Sequence, residues 1–113
     1  MPKPVLQCRF FENSNGTKPV REWLLDLPKE IRQQVGSDMQ LVQLTWPTGK
    51  PLVDGFGDGL DEVRTSYDGN LYRVLFCLVG SDMVLLHGFQ KKTQKTPAKE
   101  ITLARKRQKA VEG

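Results

Sequence analysis

Histidine and cysteine are scarce in this chain of 113 residues: one histidine, His87, and two cysteines, Cys8 and Cys77. No Cys-x-x-Cys pair or Cys/His cluster exists, which argues against a structural zinc site and against any redox motif. Nothing in the pattern calls for a metal or a cofactor. The two thiols sit in apolar, strand-like segments and read as small buried hydrophobes of a reduced compartment. Long hydrophobic runs are missing too. None approaches the roughly 20 residues of a membrane span, and the N-terminus lacks a signal-peptide pattern. A soluble cytoplasmic protein is expected, with no membrane partner.

What is present is charge, unevenly spread. The net balance is +4. Residues 1–90 carry nine Lys/Arg against eleven Asp/Glu, and residues 91–113 carry eight against two. The positive charge is thus a C-terminal feature, suited to nucleic-acid phosphate or an acidic protein partner, or simply to a solvated helix face. At this length one domain spanning residues 1–113 is expected. Such a chain buries about 65% of its unfolded surface, enough for a core without staples.

The stretch from Leu71 to Lys92 organises the chain. Leu71–Val79 is apolar at nearly every position, as in a central strand covered on both faces, and Arg73 interrupts it. Gly80-Ser81-Asp82 has hairpin chemistry and leads into Met83–Gln90. Before this hairpin, Leu60–Tyr67 alternates, with Val63, Thr65 and Tyr67 on one face and Glu62, Arg64 and Ser66 on the other. Asp68-Gly69-Asn70 joins the two strands. Further upstream, Val5–Phe11 reads as a first strand. Thr17 can cap a helix bearing Val20, Trp23, Leu24 and Leu27 on one face. Pro28 can start a second helix, with the stripe Ile31, Val35, Met39, Val42 and Trp46. Residues 47–59 read as a flexible connector. Gly55-Phe56-Gly57-Asp58-Gly59 superficially resembles a phosphate loop but lacks the G-x-G-x-x-G spacing and its flanking strand and helix. Thr96-Pro97 is a helix-start signal for a basic C-terminal helix. The expected fold is α+β in the order β-α-α-β-β-β-α: an antiparallel meander, a helical hairpin packed on it, and the basic helix.

A charge as close to a core as Arg73 must be paired, sit at the strand's exposed end, or have work to do. Arg64 lies on the neighbouring strand, so the two arginines can converge if the strands pair normally, and Lys91-Lys92 can join them. An ion pair with Glu62 or Asp61 is the plainer reading of Arg64. An Arg/Arg/Lys group binds a phosphodiester and stabilises the charge of its transition state. RNA cleavage asks little more, because the 2′-hydroxyl is its own nucleophile. His87 alternates with Leu85 and Phe89; it reads as a core histidine first and a proton carrier second. Tyr67 and Tyr72 read as packing residues, and Trp23 and Trp46 as core.

Arg64, Tyr72-Arg73-Val74-Leu75, Leu85-Leu86-His87-Gly88-Phe89 and Lys91-Lys92-Thr93-Gln94-Lys95-Thr96-Pro97, followed by Glu100-Ile101, Ala104 and Arg107, resemble the HigB-like, phage-derived branch of the RelE/ParE toxin superfamily. The resemblance implies a compact RelE-like domain and the toxin of a type II toxin–antitoxin pair. It implies a metal-independent endoribonuclease that cuts mRNA on the ribosome, held in a hetero-oligomer by a helix-turn-helix antitoxin. It places Arg73 at the scissile phosphate, Arg64 where relatives carry a basic residue, and Lys91 and Lys92 at the basic pair after the last strand. The tyrosine of RelE proper and the His/Asp/Tyr cluster of studied HigB enzymes have no counterpart after Tyr72. His87 alone remains for proton transfer. Two other readings belong to different classes: a ParE-like poison of DNA gyrase, and a non-catalytic module that binds an antitoxin.

Overall fold

A computed structural model describes residues 3–92 and 95–112. Thr93 and Gln94, part of the basic string after the last strand, lie outside the described residues. The elements run β1 (Gln7–Phe10), α1 (Pro19–Asp26), α2 (Lys29–Thr45), β2 (Val53–Gly57), β3 (Leu60–Tyr67), β4 (Asn70–Val79), β5 (Asp82–Lys91) and α3 (Ala98–Glu112).

The five strands form one mixed sheet in the order β1-β5-β4-β3-β2. β4 is its centre, as its unbroken apolar run requires. Its alternate residues feed two separate cores. Tyr72, Val74 and Phe76 join Val20, Leu24, Val35, Met39 and Val42 of α1 and α2 on one face. Leu75 and Cys77 join Leu60, Val84, Leu86 and Ala104 of α3 on the other. Fully buried side chains such as Phe76 and Leu75 each contribute about 1.5–3 kcal/mol through burial. Tyr72 is core, and Tyr67, Trp23 and Trp46 pack against it, as expected.

The fold departs from the expected order in two ways. Val53–Gly57 is a strand and not a connector: it pairs antiparallel with β3, Val53 facing Val63 and Gly57 facing Leu60. The signal was the dipeptide Asp58-Gly59. Both residues have positive φ, at 52° and 79°, as do Asp68 and Gly69 at 50° and 79°. Two consecutive left-handed residues make the type I′ turn that joins strands in a two-residue hairpin. Asp58-Gly59 is therefore the same device as Asp68-Gly69, hidden among neighbouring glycines. Second, the sheet is not a pure meander. β1 adds to its edge in parallel with β5, from Gln7 opposite Asp82 to Phe10 opposite Leu85.

Three local expectations also need correction. Thr17 does not cap α1; its hydroxyl bonds to Asn15, and Lys18 precedes the helix without a side-chain cap. Cys77 is buried, but Cys8 lies exposed on the edge strand. Leu85 and His87 do not share a face, because the β4–β5 register slips at Leu86: Phe76 faces Leu85 while Leu75 faces His87. This bulge moves His87, Phe89 and Lys91 onto the α3 side of the sheet.

Gly88 sits on the opposite face, where the Trp23 ring covers its Cα so closely that a Cβ would overlap it. Gly88→Ala should lower unfolding free energy by about 1–3 kcal/mol in denaturant titrations. Trp23→Leu in the same chain should cancel part of the Gly88→Ala penalty; strictly additive losses would contradict the contact.

Candidate anion-binding site

The sheet is not equally wide along its length. β1 pairs with β5 only as far as Leu85. β2 pairs with β3 only from Val63 back to Leu60, and the last link is the Arg64 amide to the Leu52 carbonyl at 2.8 Å. Beyond those points only β3, β4 and β5 continue. Arg64, Arg73 and Phe89 form a single row across this three-stranded end, and Lys91 lies opposite Leu71, two residues from Arg73's row. All four side chains belong to the α3 side of the sheet. The convergence of Arg64 with Arg73 and Lys91, expected from sequence, is therefore what the register delivers.

Direct cross-strand opposition of two like charges is unfavourable unless an anion compensates. One does, in part. Glu62 Oε1 lies 3.6 Å from Arg73 Nε, both side chains almost wholly buried at 4% and 3% exposure. Glu62 Oε2 accepts a hydrogen bond from the Thr96 hydroxyl at 3.1 Å. The expected partner of Glu62 was Arg64; the structure gives it Arg73 instead. Thr96, expected as the cap of α3, spends its hydroxyl on Glu62, and the helix begins at Ala98. Burial holds the Glu62 carboxyl above the ordinary glutamate range, against the opposing pull of Thr96, Arg73, Lys91 and Arg64. Burial likewise pushes Arg73 below the usual guanidinium value, with Glu62 opposing and Arg64 adding to the drop. Lys91 is lowered by burial, then by Arg73 and Arg64.

Three cations thus share one carboxyl. Arg73 Nη1 donates to the Tyr72 carbonyl at 2.9 Å. The Nε atoms of Arg64 and Arg73 are buried with no hydrogen-bond partner among the described residues. A buried guanidinium donor left without an acceptor is costly; an incoming oxyanion would satisfy that of Arg64, while Arg73 Nε faces the Glu62 carboxyl. Beside them, at the β3 edge, an open cleft of about 470 Å³ is lined by Gln34 and Asp38 of α2, Leu52, Leu71 and both arginines. It gives a ligand access at the β3 edge that β2 leaves free.

The other candidates stand apart. His87 lies in the row of Glu62 and Leu75, two strands and so about 10 Å from Glu62. Its Nε2 is 3.3 Å from Glu100 Oε2, and its ring stacks on Phe89 with centroids 5.5 Å apart. Burial lowers its pKa, outweighing Glu100. Lys92 is exposed and lines a different cleft, with Phe89, Pro97 and Lys99. The C-terminal charge divides in two. Arg105 donates to the carbonyls of Gly57 and Phe56, and Arg107 donates to the Leu86 carbonyl and lies over the Phe11 ring. Those two fasten α3 to the sheet. Lys99, Lys106 and Lys109 are exposed.

The family model for the phage-derived protein Gp49-like family (DUF891) matches residues 22–109, from α1 through most of α3. The chain belongs to the Gp49-like family. That family is one of the RelE/ParE-like toxins. A search of curated proteins returns no match. The matched span contains all residues of the candidate site, from Glu62 to Thr96, and leaves out only β1 among the strands. No described helix is long and apolar enough to cross a membrane.

The lowered His87 pKa has a sign that can be checked. The unfolded imidazole takes up its proton first as pH falls, so His87 contributes stability above the ordinary value of 6.5 that is lost as pH drops below it. Unfolding free energy measured at pH 7.5 and 5.5 should fall more steeply with acid for the native chain than for His87→Gln. Equal falls would refute a buried neutral histidine.

Proposed function

We propose that this Gp49-like protein is a toxin of a type II toxin–antitoxin pair and acts as a ribosome-dependent endoribonuclease on mRNA. The observation that carries this reading is the pair of arginines set opposite each other at the open end of the sheet, Arg64 with a buried Nε that has no hydrogen-bond partner among the described residues and Arg73 held beside Glu62, with Lys91 near them. Charge of this kind, fixed before the substrate arrives, stabilises a phosphorane without reorganising in the reaction. Arg73 and Arg64 would hold the non-bridging oxygens of the scissile phosphate. Lys91, the third cation, would face the developing charge on the attacking or leaving oxygen. Lys92, Lys99, Lys106 and Lys109 offer exposed charge to ribosomal RNA or to an acidic surface of a helix-turn-helix antitoxin. His87, turned toward Glu100, has no part assigned in this scheme.

Removing a buried ion-pair partner is usually expensive. Arg73→Ala is therefore a less innocent probe than the sequence alone implied, since it strips the buried Glu62 carboxyl of its ion-pair partner. Arg64 is half-buried and makes no ion pair among the described residues, so it is the cleaner probe. Induced expression should arrest growth and generate new mRNA 5′ ends at ribosomal A sites. Arg64→Ala should lower the cleavage rate by about 10²-fold or more while its thermal transition stays close to that of the native chain. Growth arrest with intact mRNA excludes this mechanism, and DNA-damage signalling in that case would identify gyrase poisoning in its place.

A further inference from the structure

We propose that Glu62, held by the Thr96 hydroxyl, is a positioning residue that aims the Arg73 guanidinium at the substrate phosphate. This rests on reading the cation cluster as a phosphodiester site. A guanidinium has five donors in a rigid plane, so fixing two of its nitrogens fixes the third. Arg73 is pinned on two sides. Nη1 is tied to the Tyr72 carbonyl at 2.9 Å and approaches the Thr65 carbonyl at 3.5 Å. Nε is drawn toward Glu62 Oε1 at 3.6 Å. Nη2 makes no hydrogen bond among the described residues and is the nitrogen left to meet a ligand.

Glu62 can steer only if it is itself fixed, and Thr96 does this from the other oxygen at 3.1 Å. Glu62 and Thr96 are 3% and 7% exposed. At that burial Glu62 does not reach an RNA 2′-hydroxyl, which separates aiming from direct proton abstraction. A carboxyl whose burial is this unfavourable, placed among three cations but touching only one, does more than neutralise charge. Its 3.6 Å separation from Arg73 Nε also exceeds good hydrogen-bonding distance. Closing that gap as a phosphate engages Nη2 and Arg64 would tighten the whole row at the moment of binding.

The experiment compares Thr96→Val, Thr96→Ser, Glu62→Gln and Glu62→Ala in the full chain, measuring kcat and KM for mRNA cleavage on ribosomes and the Arg73 Nε–H signal by ¹⁵N NMR. Thr96→Val should lower kcat by about tenfold, the scale of one lost hydrogen bond, with KM nearly unchanged, and Thr96→Ser should restore it. Glu62→Ala should lower kcat by about 10²-fold, the scale of a misplaced catalytic group, and Glu62→Gln, which keeps an acceptor for Arg73, should fall between. In the native chain the Arg73 Nε–H signal should be sharp and slowly exchanging, and it should broaden in Thr96→Val. Native kcat in Thr96→Val and Glu62→Ala, or a loss that follows only the unfolded fraction, overturns the proposal. If the native chain cleaves no RNA, the ribonuclease reading fails by itself. The NMR arm then still decides the aiming: an Arg73 signal indifferent to Thr96→Val overturns it.

Discussion

Two arginines placed directly opposite each other on adjacent strands set the terms for this end of the molecule. Cross-strand neighbours of like charge repel, and neither Arg64 nor Arg73 can swing far into water, since the Nε of each is buried. Everything nearby answers that repulsion in part. Glu62 faces Arg73, the Tyr72 carbonyl takes Nη1, and the segment before α3 supplies Thr96 to steady Glu62. None of these cancels the excess, because Lys91 adds a third cation. Such a surplus is what makes this end of the sheet the candidate site.

The elements around the pair serve to keep it fixed yet reachable. β4 is held between two cores, so Arg73 stands on the central strand, packed on both faces. The neighbouring edge is opened by the early departure of β2 from β3. The basic helix contributes less free charge than its composition implies, because Arg105 and Arg107 are committed to backbone carbonyls of β2 and of β5. Its exposed lysines are the part available to polyanions.

Much of this was legible in the residues. The apolar run of Leu71–Val79 announced the central strand and the alternation of Leu60–Tyr67 announced its neighbour, which let Arg64 and Arg73 converge; the register that sets them opposite each other came only from the structure. What stayed hidden depended on contacts between distant segments. No periodicity marks five residues with two glycines as a strand, so β2 was concealed although Asp58-Gly59 carried its turn. A one-residue bulge is silent in sequence, and it changed the face on which His87 stands relative to Leu85. Glu62 looked like an ordinary solvent-facing residue because its cover comes from Thr96, 34 positions away. Thr96 looked like a cap because its local pattern was that of one.

The parallel pairing of β1 with β5 has a consequence in time. Cys8 meets Met83 across 75 positions, and such distant pairings form late, after the cost of closing the long loop has been met. During synthesis from the N-terminus, β1 waits without its partner until most of the chain has been made. The Arg64–Arg73–Lys91 cluster waits longer still, since it needs Lys91 and then Thr96 to hold Glu62, so its charge is assembled only when nearly the whole chain has been made.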